Sequence, residues 1–236
     1  MNKKVIFTGG SGRFAKIFRK IKSNYSFYYP TSKQLNILDL RSVENYVKKI
    51  KPSIFIHAAG LSRPMSVHDQ DINKSISINI IGTANVTKIC SKYNVKLVYL
   101  STCYVYPGIT GNYNEKNPLL PINNYAWSKL GGECAVQMYQ NSLILRISMT
   151  EKPFIHKEAF VDFKTNFIFH EDVAKLFIKL LNKKGIINIG GKSQSVYQFA
   201  VKQNKNIKKA YAKKVLPKNS PLNPSMNINK LRKILK

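Results

Sequence analysis

Tyr125 and Lys129 are the two side chains in this sequence best suited to moving a proton together. They stand in Tyr125-Ala126-Trp127-Ser128-Lys129, and on a helix positions i and i+4 share one face. An ammonium beside a phenol favours the phenolate. Such a phenol can exchange a proton with a hydroxyl or a carbonyl near neutral pH. Ser101 and Thr102 close an apolar run, Lys96–Leu100, so Thr102 either polarises a carbonyl or simply caps the turn that opens the next loop. Cys103 beside it is either a second acid/base thiol or a small packing residue.

The third chemical feature is Thr8-Gly9-Gly10-Ser11-Gly12-Arg13-Phe14-Ala15. It fits G-x-G-x-x-A through Gly10, Gly12 and Ala15, and G-x-x-G-x-x-A through Gly9, Gly12 and Ala15. After a strand and before a helix, such a turn lets a pyrophosphate approach the backbone. A strand that binds the ribose of NAD should end in Asp or Glu. The second strand here runs into Tyr28-Tyr29-Pro30-Thr31-Ser32-Lys33 and carries no acid. Arg13 and Lys33 suit a 2′-phosphate instead. NADP(H) is therefore favoured over NAD(H).

These residues need a scaffold, and the chain spells one. Val5–Thr8, Ser26–Tyr29, Ile54–His57, Lys96–Leu100 and Leu143–Ile147 read as strands. Helical patterns lie between them. One follows Asp39 as its cap, with Val43, Tyr46, Val47 and Ile50 apolar. A long one carries Ile76, Ile80, Ala84, Val86 and Ile89 to about Tyr93. Another covers Tyr125–Tyr139. Residues 102–123 read as a loop rich in Gly, Pro and Asn. The alternation predicts an α/β fold: a Rossmann-type, doubly wound parallel sheet. The expected division is a dinucleotide-binding domain over 1–147 and a small C-terminal substrate lobe over 148–236. That lobe is interleaved with the last Rossmann elements: a helix near Glu171–Leu181, a strand at Ile186–Ile189 and a closing helix through Ile228, Leu231 and Ile234.

Net charge is +28. The bases are 33 Lys and only 6 Arg, beside 23 Asn and 26 Ile, the residues of A/T-rich codons. Arg, the better reader of phosphate and guanine, is scarce. The charge reads as compositional bias with a general pull on anionic substrates. A nucleic-acid partner is disfavoured. No apolar stretch reaches the length of a membrane span, and the N-terminus has no leader pattern. Three cysteines without paired spacing fit a reducing, cytoplasmic setting. No His/Cys/carboxylate set has metal spacing. His68 and His156 are expected at the surface, Cys90 and Cys134 in helix packing, and His57 in backbone packing. His170-Glu171-Asp172 reads as a helix start.

Together, TGGSGRFA at the start, HAAG at 57–60, STCYVYP at 101–107 and YAWSK at 125–129 resemble the extended short-chain dehydrogenase/reductases. NIIGT at 79–83, FIFHEDVA at 167–174 and INIGG at 187–191 look like further segments of that family, in its order. Within it the chain is most similar to the dTDP-4-dehydrorhamnose reductase subgroup. STCYVYP is also similar to GDP-L-fucose synthase. The resemblance implies a catalytic set of Thr102 (carbonyl hydrogen bond), Tyr125 (acid/base) and Lys129 (cofactor ribose and Tyr125 acidity). It implies cofactor contacts from Gly9, Gly12, Arg13, Phe14, Ala15, Asn36, Ala58, Ala59, Gly60, Asn79 and Lys129. It implies substrate contacts from Arg63, Thr102, Cys103 and Tyr125, and a helix distorted at Asn79. It also implies a homodimer through the helices near 76–93 and 125–139.

Two departures stand out. Asn36 replaces the usual Asp near the adenine, and Cys103 replaces the Asp usual after the Thr in rhamnose-type reductases. The reading is an NAD(P)H-dependent reductase of the 4-keto group of a nucleotide-diphosphate sugar. A nucleotide-sugar 4-epimerase with the same Tyr and Lys is the alternative. A non-catalytic dinucleotide-binding subunit is the third.

Overall fold

The computed structural model describes residues 2–218 and 220–236. Six strands form the central parallel sheet: β1 (Lys3–Thr8), β2 (Tyr25–Tyr28), β3 (Ile54–His57), β4 (Lys96–Thr102), β5 (Ser142–Ile147) and β6 (Gly185–Ile189). Their order is β6-β5-β4-β3-β1-β2. Val5 pairs with Phe27 of β2 on one side and Ile54 of β3 on the other. The chain therefore reverses its winding between β1 and β3. That is the switch point where open α/β sheets bind ligands, at the carboxyl ends of the strands. β3, β4 and β5 are buried at every position. Strands covered on both faces need unbroken apolar runs, which is why they were readable in the sequence.

Five helices matter for the site: α1 (Arg13–Phe18), α2 (Leu40–Ile50), α3 (Gly82–Lys92), α4 (Asn124–Gln137) and α5 (His170–Leu180). The Asp39 carboxylate caps α2 by accepting from the Arg41 N–H at 2.9 Å. Val43, Val47 and Ile50 form its buried stripe. The long helix expected over 76–93 is not uniform. Ile76–Ile81 is π-helical and only Gly82–Lys92 is regular. The expected loop after β4 begins with a 3-10 turn, Cys103–Val105.

The chain forms two compact units. One comprises Met1–Ser101, Asn124–Leu145 and Ala174–Ile186; the other comprises Thr102–Asn123, Arg146–Val173 and Ile187–Lys236. In the first, Ile6, Phe55, Leu97, Tyr99 and Ile144 from the sheet pack with Val47, Val86, Ile89 and Val136 from the helices. Phe14 and Phe18 of α1 meet Phe7 and Phe177 in an aromatic cluster. The second unit has its own core, with Phe154, Phe163, Phe199 and Ile207. There the buried Arg146 guanidinium donates to the Tyr106 hydroxyl at 2.8 Å, and that hydroxyl donates to Asn188 Oδ1 at 2.9 Å.

Candidate active site

The loops after β1 and β3 meet at the switch point. Gly9 has φ +73°, and a Cβ there would lie 2.7 Å from the Ala58 carbonyl oxygen. Only glycine satisfies both conditions. The Gly12 N–H donates to the Gly9 carbonyl at 2.9 Å, and Gly12 leads into α1 with extended backbone. Arg13 opens α1 and is exposed, while Phe14 and Ala15 are buried. Asn36 is exposed; its Oδ1 accepts from the Leu38 N–H at 3.1 Å. Arg63 is exposed.

Beneath these loops lies a chain of hydrogen bonds centred on His57, which is fully buried. The Thr83 hydroxyl donates to the Asn79 carbonyl at 2.8 Å. Its oxygen therefore accepts from His57 Nε2 at 3.0 Å. This fixes the tautomer: Nδ1 is the acceptor and takes the Thr8 hydroxyl at 3.0 Å. Thr8 Oγ1 in turn accepts from the Ala59 N–H at 3.2 Å. Burial, aided by the charge of Lys129, lowers the His57 pKa to about 3. The neutral ring thus links β1, the loop after β3 and the π-helical segment.

Asn79 sits inside that segment and is buried. Its Oδ1 accepts from the Leu61 N–H at 2.8 Å; its Nδ2 donates to the Leu61 carbonyl at 2.9 Å and to Ser128 Oγ at 2.8 Å. Ser128 donates to the Tyr125 carbonyl at 2.7 Å. One amide therefore ties the loop after β3 to the first turn of α4. The two helices meet closely because Gly132 has no side chain. A Cβ there would lie 2.5 Å from the Asn79 carbonyl oxygen and 2.8 Å from the Tyr99 hydroxyl.

α4 carries Tyr125, which is half-buried, and Lys129, which is buried. Lys129 Nζ lies 4.2 Å from the centroid of the Tyr99 ring. The Tyr99 hydroxyl donates to the Lys129 carbonyl at 3.1 Å. Burial lowers the Lys129 pKa to about 7, against the upward pull of Glu133 one turn further along. Glu133 is fully buried and accepts from the Ser101 hydroxyl at 2.6 Å. Gly60 packs against Asn79 and Lys129: a Cβ there would lie 3.2 Å from Asn79 Oδ1 and 3.9 Å from Lys129 Nζ.

In the second unit Thr102 and Cys103 are buried. Thr102 Oγ1 accepts from the Tyr104 N–H at 3.3 Å, which caps the 3-10 turn. Burial raises the Cys103 thiol to about 11, against hydrogen bonds from Ser148, Thr102 and Thr165. Cys103 is thus a protonated, packed thiol.

A family model for the RmlD substrate binding domain matches residues 3–166. This chain belongs to that family. Among solved structures, dTDP-4-dehydrorhamnose reductase of Bacillus anthracis, in complex with NADP, superposes with a TM-score of 0.88. It is 25% identical, with 98% of this chain and 92% of that one covered. Among curated proteins, methionine adenosyltransferase 2 subunit beta of Xenopus laevis is 30% identical over 156 residues, 62% of this chain and 46% of its own. dTDP-D-glucose 4,6-dehydratase of Dictyostelium discoideum is 32% identical over 191 residues, 75% of this chain and 41% of its own. The chain spans about half the length of the curated relatives it matches.

The fold is that of the extended short-chain dehydrogenase/reductases to which the RmlD family belongs. For an RmlD-family chain, two expectations need correction. His68 is not at the surface: it is 1% exposed, because its short helix, Val67–Gln70, packs on α4. Cys134 is not in packing: it is exposed. The buried Glu133 is a functional candidate that the sequence motifs do not single out. Its i+4 spacing from Lys129 was the available signal. Among the described residues no group of His, Cys, Asp and Glu could hold a metal, and no helix is long and apolar enough to cross a membrane.

The residues present fit a dinucleotide. Gly9 turns the backbone at φ +73° tightly against Ala58, the kind of glycine turn a pyrophosphate-binding loop requires, and Gly60 brings backbone close to the Lys129 ammonium. That ammonium is buried against a ring face and lacks the solvation it would have in water.

Proposed function

We propose that this chain is a nicotinamide-dinucleotide-dependent reductase acting on the 4-keto group of a nucleotide-diphosphate sugar. The observation that carries this reading is the buried Lys129 ammonium, one helical turn from Tyr125 and 4.2 Å from the Tyr99 ring centroid. The bound dinucleotide supplies the hydride. Tyr125 gives its hydroxyl proton to the substrate oxygen, and the Lys129 ammonium stabilises the phenolate left behind. Thr102 hydrogen-bonds the carbonyl. Lys129 also holds the nicotinamide ribose, and Gly9, Gly12, Arg13, Ala58 and Ala59 receive the rest of the cofactor. The second compact unit serves as the substrate lobe.

NADPH is the preferred donor, since β2 ends in Tyr28-Tyr29-Pro30 without a carboxylate and the exposed Arg13 opens α1. The +28 charge draws in a diphosphate. Free cysteines support a cytoplasmic setting. Exposed Ile76, Ile81 and Trp127 on the paired helices support a homodimer.

The test is NADPH absorbance with a panel of 4-keto-6-deoxy nucleotide sugars. Consumption with one member supports the reading. Sugar inversion without net consumption indicates the epimerase. A second reading, an accessory subunit, is favoured by the similarity to a methionine adenosyltransferase subunit beta. Under it the chain binds a dinucleotide, turns over no sugar and co-purifies with a catalytic chain.

A further inference from the structure

The first unit holds one buried polar atom beside the Tyr125–Lys129 pair that nothing so far uses. His68 is 1% exposed. Its ring lies 5.1 Å from that of Tyr125, centroid to centroid, at 61°. Its Nδ1 is 2.7 Å from Ser75 Oγ. Its Nε2 is buried and has no hydrogen-bond partner among the described residues. The neighbouring Asp69 accepts from Asn124 Nδ2 at 2.8 Å, so the short helix is tied to the start of α4. A buried polar atom left unmatched weighs against folding. Sites of this kind persist where a ligand supplies the match.

We propose that His68 is a specificity-determining residue: its Nε2 hydrogen-bonds a hydroxyl of the bound sugar, next to the carbon on which Tyr125 acts. This rests on the nucleotide-sugar reading above. The ring contact puts His68 beside the proton-transferring phenol. Burial and the Lys129 charge lower the His68 pKa, against the opposing pull of Asp69. A neutral imidazole suits a hydroxyl, which both donates and accepts, better than a phosphate, which calls for a cation.

The test uses His68→Phe, which keeps an aromatic ring against Tyr125 and removes Nε2, and His68→Gln, which restores a polar end. Titration calorimetry on the full chain measures NADP+, then TDP and dTDP-rhamnose on the NADP+-loaded protein. Melting temperatures check that both variants fold. The expected result for His68→Phe is a Kd for dTDP-rhamnose about tenfold weaker, with NADP+ and TDP unchanged. His68→Gln recovers part of the loss. Equal dTDP-rhamnose binding by wild type and His68→Phe overturns the assignment and leaves the proposed function standing. Parallel loss of all three ligands also overturns it, because that marks a structural role. A wild type that binds NADP+ but no dTDP-rhamnose overturns the nucleotide-sugar reading, and the His68 assignment falls with it.

Discussion

The ammonium of Lys129 rests 4.2 Å from the centroid of the buried Tyr99 ring. Tyr99 is fully buried, and its hydroxyl returns to the Lys129 backbone. The charge is thereby taken out of water and set against a π-face. Burial alone would neutralise it near physiological pH; Glu133 pulls the other way. The two effects together set the Lys129 pKa at about 7.

Glu133→Gln tests that balance. Lys129 is charged below about 7 and loses its proton as pH rises through that value. The kcat/KM for the dinucleotide, which reports the free enzyme, should fall above about pH 7. In Glu133→Gln the fall should come at lower pH, because the carboxylate that raises the Lys129 pKa is gone. An unmoved limb contradicts the coupling.

Stability carries the same signature. Between about 7 and the ordinary lysine value, the unfolded chain holds a proton that the folded chain has lost. Folding stability from this group therefore rises with pH across that window, by about 1.4 kcal/mol per pH unit at most. Below the window the burial cost is fully present. In urea melts from pH 6 to 10, wild type should start less stable than Lys129→Met and close the gap with this slope as pH rises.

Much of the scaffold was legible because it depends on local pattern. β3 was read to the residue as Ile54–His57, and Asp39 as the cap of α2. The glycine turn was legible because a positive φ at Gly9 demands glycine. The π-helical stretch was not legible as such from periodicity. It is held by contacts of Thr83 and Asn79 with His57 and Ser128, distant in sequence. His68 escaped because a four-residue helix has no periodicity and its burial comes from α4.

Thr83→Val tests the His57 network. It removes the acceptor of His57 Nε2 and the donor to the Asn79 carbonyl while keeping shape. The expected cost is about 1–3 kcal/mol in urea melts. Loss of dinucleotide affinity should accompany it, since Thr8 and the loop after β3 share the chain of bonds. A neutral outcome contradicts the tautomer and its relay.

Gly132→Ala tests the helix contact. Its Cβ would meet the Asn79 backbone oxygen at 2.5 Å, and backbone cannot swing aside. A loss of about 2–3 kcal/mol is expected in urea melts, with weaker NADP(H) binding. Gly185→Ala, where φ is positive but no atom lies within 4 Å, serves as the contrast for strain without collision.

The most direct measurement compares NADPH oxidation by wild type and Tyr125→Phe on dTDP-4-keto-6-deoxy sugars, with dinucleotide binding followed in parallel. The account expects turnover by the wild type, a drop of about a thousandfold or more in kcat for the variant, and NADPH affinity within a few-fold. Turnover that survives in Tyr125→Phe, with the dinucleotide still bound, would contradict Tyr125 as the proton donor.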